Sequence, residues 1–93
     1  MAYFVITKTR LFINGVERSV SVDVNEHSSD VDACVHLQRT AEREVFGKAN
    51  ATLVKYITIG VPAKVPVRLD YEYTAEDGKN RYEVTMRVTK ELA

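Results

Sequence analysis

The stretch SDVDACVHLQRTAEREVFG, residues 29–47, is the only segment of the chain with a clear helical pattern. Ser29 is a favourable N-cap, and Asp32 three positions later completes a pattern similar to a capping box. Gly47 is expected to end the helix by adopting a left-handed backbone conformation. The residues on both sides of this stretch have the composition of strands and turns, so the helix decides how the rest can be arranged.

The helix is predicted to have one apolar side and one polar side. The apolar side carries, at helical spacing, Val31, Cys34, Val35, Leu37, Ala41 and Val45. The opposite side carries Asp32, His36, Arg39, Thr40 and Arg43. The first side is expected to pack against a sheet and the second to face solvent.

A β-hairpin is predicted before the helix. Residues 3–13 and 16–24 are rich in β-branched and aromatic types, and Asn14-Gly15 between them favours a type I′ turn. An unbroken register from this turn pairs Ile13 with Val16 and ends with Val5 opposite Val24. One face then carries Val5, Leu11, Ile13, Val16, Val20, Val22 and Val24. The other face carries, on the first strand, Phe4, Ile6, Lys8, Arg10 and Phe12.

Three strands are predicted after the helix, at residues 51–59, 64–74 and 80–90, with turns at residues 60–63 and 76–79. In the register that aligns the apolar residues of the last two strands, Tyr73 lies opposite Tyr82 and Leu69 opposite Met86. Pro66 cannot donate to a ladder, so we expect it at a sheet edge or at a bulge.

The same register brings like charges together, with Glu72 opposite Glu83 and Arg68 opposite Arg87. Such pairs are mildly unfavourable. We expect either diagonal relief from Arg81 and Arg87 or a bulged turn.

These segments give the order β-β-α-β-β-β, an α+β fold in which one helix packs on one face of a mostly antiparallel sheet. The 93 residues suit a single domain, residues 1–93. Thirteen basic and thirteen acidic side chains cancel, so no global field draws the chain to nucleic acid or anionic lipid. No apolar run approaches the roughly 20 residues of a membrane span. With one cysteine and no signal peptide, we expect a soluble cytoplasmic protein.

The residue types that carry catalysis or bind metals are not grouped. Cys34 and His36 point to different sides of the helix, and Cys34 is better explained as a small buried hydrophobic residue. His36 is better explained as a solvated helix residue near Asp32, and His27 as a loop residue with no cluster around it. No spacing matches a zinc or calcium site or a phosphate-binding loop. We therefore expect no enzyme, no metal and no cofactor.

Three surfaces remain as candidates for binding. The first is the outer face of the sheet. Its apolar residues are expected to be covered either by the chain's own loops or by a partner or second copy of the chain. These residues are Phe4, Ile6, Phe12, Leu53, Ile57 and Ile59. The second is basic and shares its face with acidic residues, which favours a mixed-charge solvated surface over a phosphate-binding patch: Lys8, Arg10, Lys55, Lys64, Arg68, Arg81 and Arg87. The third is the exposed helix stripe, which suits an acidic protein surface or phosphates although plain solvation is the simpler explanation: His36, Arg39 and Arg43.

In size and element order the chain resembles the small phage-encoded anti-CRISPR proteins, which share no motif. The resemblance implies an inhibitor in the host cytoplasm that docks on a CRISPR effector and blocks entry of target DNA. Its implied contacts to acidic patches or guide RNA are Lys8, Arg10, Arg39, Arg43, Arg68 and Arg87. The alternative is a small nucleic-acid-binding or regulatory domain that acts as a homodimer through the open sheet face.

Overall fold

The structure is a computed structural model, and it describes residues 2–59, 65–75 and 78–90. The turn predicted at residues 60–63, residue 64 at the start of the fourth predicted strand, and residues 76–77 of the second predicted turn lie outside the described residues. The strands are β1 (Tyr3–Ile13), β2 (Val16–His27), β3 (Ala51–Ile59), β4 (Val65–Thr74) and β5 (Asn80–Thr89). The helix α1 (Asp30–Thr40) continues as a π-helical turn over Ala41–Val45.

The five strands form one antiparallel sheet in the order β2-β1-β5-β4-β3. The helix lies between β2 and β3 in the chain and packs mainly on β4, β1 and β5. The predicted α+β fold is therefore confirmed. The edges of the sheet are β2 and β3.

The core lies between α1 and the central strands. From the sheet it takes Val5, Leu69, Tyr71, Val84 and Met86. From the helical segment it takes Ala33, Leu37, Ala41 and Val45. Burial of these side chains supplies the main force that holds the helix on the sheet.

The start of the helix is confirmed, but its buried side is rotated relative to the prediction. Ser29 is the N-cap, and its hydroxyl accepts a hydrogen bond from the Asp32 amide at 3.1 Å. Val31 and Val35 are 60% and 36% exposed, so their predicted burial is wrong. At about 100° per residue, Val35 lies about 160° around the helix from the buried Leu37. Ala33 and Thr40 are buried in place of Val31 and Val35, although Thr40 is predicted on the polar side.

The predicted role of Gly47 is also wrong, because its φ angle is not positive. A Cβ atom on Gly47 would lie 2.7 Å from the carbonyl oxygen of Arg43, which is closer than real Cβ contacts allow. The helix ends instead through the π-helical turn, in which the Phe46 amide donates to the Ala41 carbonyl at 3.0 Å. Gly47 is required for a close backbone approach.

The hairpin turn is confirmed, since Asn14 and Gly15 both have positive φ angles, 54° and 79°. The register shifts between Leu11 and Phe12, so that Leu11 pairs with Ser19 and Arg18 becomes the extra residue of a β-bulge.

This bulge overturns the predicted face of β2, because a shift of one residue moves every later side chain to the other face. Val20, Val22 and Val24 pair with Arg10, Lys8 and Ile6 on the outer face. The helix side of β2 instead carries Ser19, Ser21, Asp23 and Asn25.

The predicted register of β4 and β5 is confirmed from Tyr73 opposite Tyr82 to Leu69 opposite Met86. It also sets Glu72 against Glu83 and Arg68 against Arg87, as predicted.

The close approach of Glu72 and Glu83 is relieved by Arg81, whose Nη1 atom lies 3.4 Å and 3.1 Å from their carboxylates. Arg87, the other arginine expected to give relief, makes no ion pair with a described residue. Pro66 lies in β4 beside a register shift in the ladder with β3, which confirms the predicted bulge, and the ladder with β5 begins only at Arg68.

Two of the six apolar residues predicted on the outer face lie on the helix side. Leu53 pairs with Tyr71 and Ile59 pairs with Val65, because β3 contains two register shifts. Phe4, Ile6, Phe12 and Ile57 remain on the outer face.

Candidate functional site

The end of β2 and the polar side of the helix line a shallow, open cleft of about 480 Å³. We call it the histidine–arginine cleft. Its lining comprises His27, Asp32, Val35, His36, Arg39, Thr40 and Arg43. All but one of these residues come from the helical segment, at spacings of three and four residues that place them on one side. His27 is the last residue of β2 and closes the cleft from the sheet.

Two imidazole rings meet in this cleft. His27 Nε2 and His36 Nδ1 are 2.9 Å apart, and the rings are edge to face with centroids 5.1 Å apart. A hydrogen bond between two ring nitrogens needs one of them to carry a proton and the other to be free. Partial burial lowers the pKa of His36 below its usual value, and the nearby His27 and Arg43 lower it further. The contact is therefore incompatible with two charged imidazoles.

The two arginines of the cleft are one helical turn apart. Arg43 Nε donates to Glu44 Oε1 at 3.2 Å, and Glu44 is also bound by Lys48. The hydrogen bond and charge of Lys48, with a smaller contribution from Arg43, lower the pKa of the Glu44 carboxyl. Arg39 makes no ion pair with any residue that the structure describes.

The remaining polar groups of the cleft differ in what they offer. The Thr40 hydroxyl donates to the backbone carbonyl of His36 at 2.9 Å, so its proton is already used. Among the residues that the structure describes, Asp32 is the one carboxylate of the lining. Arg39 and Arg43, which lie beside one described carboxylate of the lining, suit an anionic ligand.

The structure divides the predicted binding residues between two faces. His36, Arg39 and Arg43 come together in the cleft on the helix side. By the strand registers, the other four lie on the outer face of the sheet: Lys8, Arg10, Arg68 and Arg87.

Two of the outer cations are paired with carboxylates of the same face. Arg10 lies 2.8 Å from Glu17 and 3.5 Å from Glu83. Arg68 lies 3.0 Å from Asp70. Lys8 and Arg87 instead line a shallow depression of about 390 Å³ with Ile6, Val22, Val24 and Thr85. The outer face therefore mixes its cations with several carboxylates, although Lys8 and Arg87 make no ion pair with a described residue.

Sequence reasoning missed His27, which had been interpreted as an isolated loop residue. Its place in the cleft depends on β2 continuing to residue 27, three residues beyond the predicted strand end. Polar Asn25 and Glu26 hide this continuation in the sequence, because they lie on an exposed edge strand that tolerates any polarity.

Cys34 is 4% exposed and lies with the helix residues that face the sheet. Burial raises the pKa of its thiol, and the charge of Asp30 raises it further. A protonated, buried thiol is a poor nucleophile, and the geometry agrees with a packing role.

Among residues 2–59, 65–75 and 78–90, no group of three or more His, Cys, Asp or Glu side chains is arranged to hold a metal ion. No helix in the described part of the chain has the length and apolar character needed to cross a membrane.

Comparisons of the chain with protein-family models, with curated proteins and with solved structures found no match.

Proposed function

We propose that the chain is a non-enzymatic binding protein that docks on an acidic surface of a protein or nucleoprotein through the histidine–arginine cleft. The observation that carries this proposal is the convergence of His27, His36, Arg39 and Arg43 on one cleft, in whose lining Asp32 is the one carboxylate among the described residues. The specific form suggested by the resemblance is an inhibitor that blocks target DNA binding by a CRISPR effector.

The arginines are the anchors of this proposal. A guanidinium group presents a planar fork of donors that matches carboxylate and phosphate oxygens. Arg39 is unpaired among the described residues, and the Arg43 side chain is 72% exposed, so its contact with Glu44 contributes little and is easily exchanged. Both groups can therefore turn to a partner at small cost.

The test is a gel-shift assay of target DNA binding by purified CRISPR effector complexes, with and without this protein. The variant Arg39→Ala/Arg43→Ala should lose inhibition by at least about tenfold, which corresponds to about 1.4 kcal/mol. The matched control is Arg68→Ala/Arg87→Ala, which removes the same charge from the outer face and should inhibit like the wild type.

Two results would count against the proposal. An equal loss in both double variants would show that overall charge, and not the cleft, matters. If the wild-type protein inhibits DNA binding by none of the CRISPR effector complexes, it is not an anti-CRISPR inhibitor of this kind.

A second candidate is a nucleic-acid-binding or regulatory domain, favoured by the same cleft because phosphates and carboxylates suit the same arginines. Fluorescence anisotropy with labelled single-stranded DNA, double-stranded DNA and RNA separates the candidates. Direct binding should weaken steeply as salt rises, since it releases counterions. Absence of binding at low salt would eliminate this candidate.

A further inference from the structure

The outer edge of β2 is a long row of exposed backbone and side chains. Each residue of β2 before His27 is exposed, and among the described strands β1 is its one neighbour in the sheet. Natural edge strands are usually protected by short length, by charged side chains and above all lysine, by proline, by a bulge or by an inward-pointing charge. This 12-residue strand contains neither lysine nor proline, and its bulge at Arg18 leaves a regular ladder from Ser19 to His27. The inward charge of Asp23 disfavours a partner strand with a second carboxylate opposite it. The regular part is therefore competent to pair with another strand.

The regular part of β2 also carries an exposed apolar stripe. Val20, Val22 and Val24 are 50%, 57% and 49% exposed on the outer face. The opposite face of the same segment carries small or polar residues, namely Ser19, Ser21, Asp23 and Asn25. A strand that added to this edge would match best if it also had valines on one face and serines on the other.

A second copy of the same strand satisfies this requirement. Two β2 edges related by a two-fold axis perpendicular to the sheet run antiparallel, and paired side chains point to the same face. The axis must therefore pass through one residue and its own copy, since a half-residue offset would set valines against serines.

The residue on the axis decides which side chains meet. With Asp23 on the axis, two carboxylates would lie directly opposite each other, which is unfavourable. With Ser21 on the axis, Val24 of one copy would lie beyond the regular ladder of the other, at the bulge residue Arg18, and would have no valine opposite it. With Val22 on the axis, Val20 lies opposite Val24 in both halves of the pair.

The Val22-centred register is also complementary in charge and polarity. Just beyond the regular ladder, at both ends of the paired segment, Glu26 of one copy lies next to the bulge residue Arg18 of the other. On the helix side the register sets Ser21 opposite Asp23, and Ser19 opposite Asn25. No like charges face each other in this register.

We propose that the protein forms a homodimer by antiparallel pairing of two β2 edges, with the two-fold axis at Val22. The product is a continuous ten-stranded sheet with both helices on the same face. The six valines of the two copies form one stripe at the centre of the other face, where neighbours across the axis shield one another from water. The inference rests on β2 alone and stands independently of the proposed role of the cleft.

The first experiment is sedimentation velocity on the wild type and two lysine variants. The wild type should sediment as a dimer of twice 10.5 kDa. Val22→Lys places two ammonium groups opposite each other on the axis and should give a monomer. The control Val54→Lys adds the same charge at a 64% exposed valine on the other edge strand, β3, and should remain a dimer.

A folded wild type that stays monomeric at every accessible concentration would overturn the proposal. So would a Val22→Lys variant that remains dimeric, because the contact would then lie elsewhere. Circular dichroism checks that each variant is folded.

A cysteine pair tests the register. Residues directly opposite in an antiparallel ladder have Cα atoms about 4.5–5.5 Å apart, within the range of a disulfide. Under mild oxidation Val22→Cys should therefore cross-link two chains, whereas Val20→Cys, which faces Val24, should not. Native Cys34 is buried and should not interfere. Cross-linking of Val20→Cys in preference to Val22→Cys, or of neither variant, would overturn the Val22-centred dimer.

Discussion

Gly47 follows the π-helical turn and lies against the carbonyl groups of the turn before it. The carbonyl oxygens of Arg43 and Glu42 occupy the space that a Cβ atom would need, at 2.7 and 3.3 Å. Gly15 is glycine for a different reason, because its φ angle of +79° lies in the left-handed region. No atom lies within 4 Å of the position that a Cβ atom would take there. The two glycines should therefore respond differently to the same substitution.

Asparagine separates the two roles, since it accepts the left-handed region but still carries a Cβ atom. We expect Gly47→Asn to lower the free energy of unfolding by about 1–3 kcal/mol, the usual cost of overpacking. Gly15→Asn should cost less than about 1 kcal/mol, because the type I′ turn accepts asparagine. Urea denaturation of both variants measures this difference. Equal costs at the two positions would contradict the close approach at Gly47.

Strands whose two phases differ in polarity could be predicted from the sequence, and β4 and β5 are the clearest case. Tyr71 and Tyr73 alternate with Asp70 and Glu72, so a slip of one residue would bury charge, and the predicted register is confirmed. In β2 a single extra residue, Arg18, inverts the face of every residue after it. Nothing local marks Arg18 as a bulge, because arginine is acceptable on either face of an exposed edge strand.

The candidate site shows the same division between local and tertiary information. Arg39 and Arg43 could be placed together from the sequence, because helical spacing is a local property. His27 could not be added to them, since its position depends on where β2 ends and on how the sheet meets α1. In the candidate site, the contact within one element was predictable, and the contact between the sheet and the helix required the structure.

The pairing of β4 with β5 depends on Arg81, which bridges two carboxylates that the register forces together. Arg81→Gln leaves Glu72 opposite Glu83 without a cation between them. We expect a loss of about 0.5–1 kcal/mol in the free energy of unfolding, since all three side chains are partly exposed. The loss should shrink in about 1 M salt, where the Debye length is about 3 Å.

The matched control for this prediction is Arg87→Gln on the same strand, which breaks no ion pair with a described residue. Thermal or urea denaturation of both variants at low and high salt provides the measurement. If Arg87→Gln costs as much as Arg81→Gln, the bridge does not contribute.

On the scale of the whole molecule, the sheet is larger than the single helix can cover. The molecule measures 41 × 27 × 15 Å, and the β1–β2 hairpin leaves the second strand exposed on both faces. The hydrogen bond between His27 and His36 connects the end of β2 to the helix. This hydrogen bond depends on pH, because two charged imidazoles cannot share it.

The direction of this pH dependence follows from the lowered pKa of His36, which results first from burial and then from the charges of His27 and Arg43. The ordinary pKa of a histidine side chain is about 6.5. As pH falls below this value, the unfolded chain binds a proton at residue 36 before the folded chain does. The free energy of unfolding should therefore decrease from about pH 6.5 down to the folded pKa, below which this loss is complete. We expect less than about 1 kcal/mol, since water screens a partly exposed imidazole.

Urea denaturation of the wild type and His36→Gln across this pH window measures the effect. Glutamine cannot titrate, so the variant should lack the decrease that begins near pH 6.5, while its pH dependence between about pH 7 and pH 9 should match that of the wild type. A two-dimensional NMR titration of the histidine ring protons assigns the step to His36. If His36→Gln retains the full decrease in the free energy of unfolding below about pH 6.5, protonation of His36 does not weaken the contact between the helix and the end of β2.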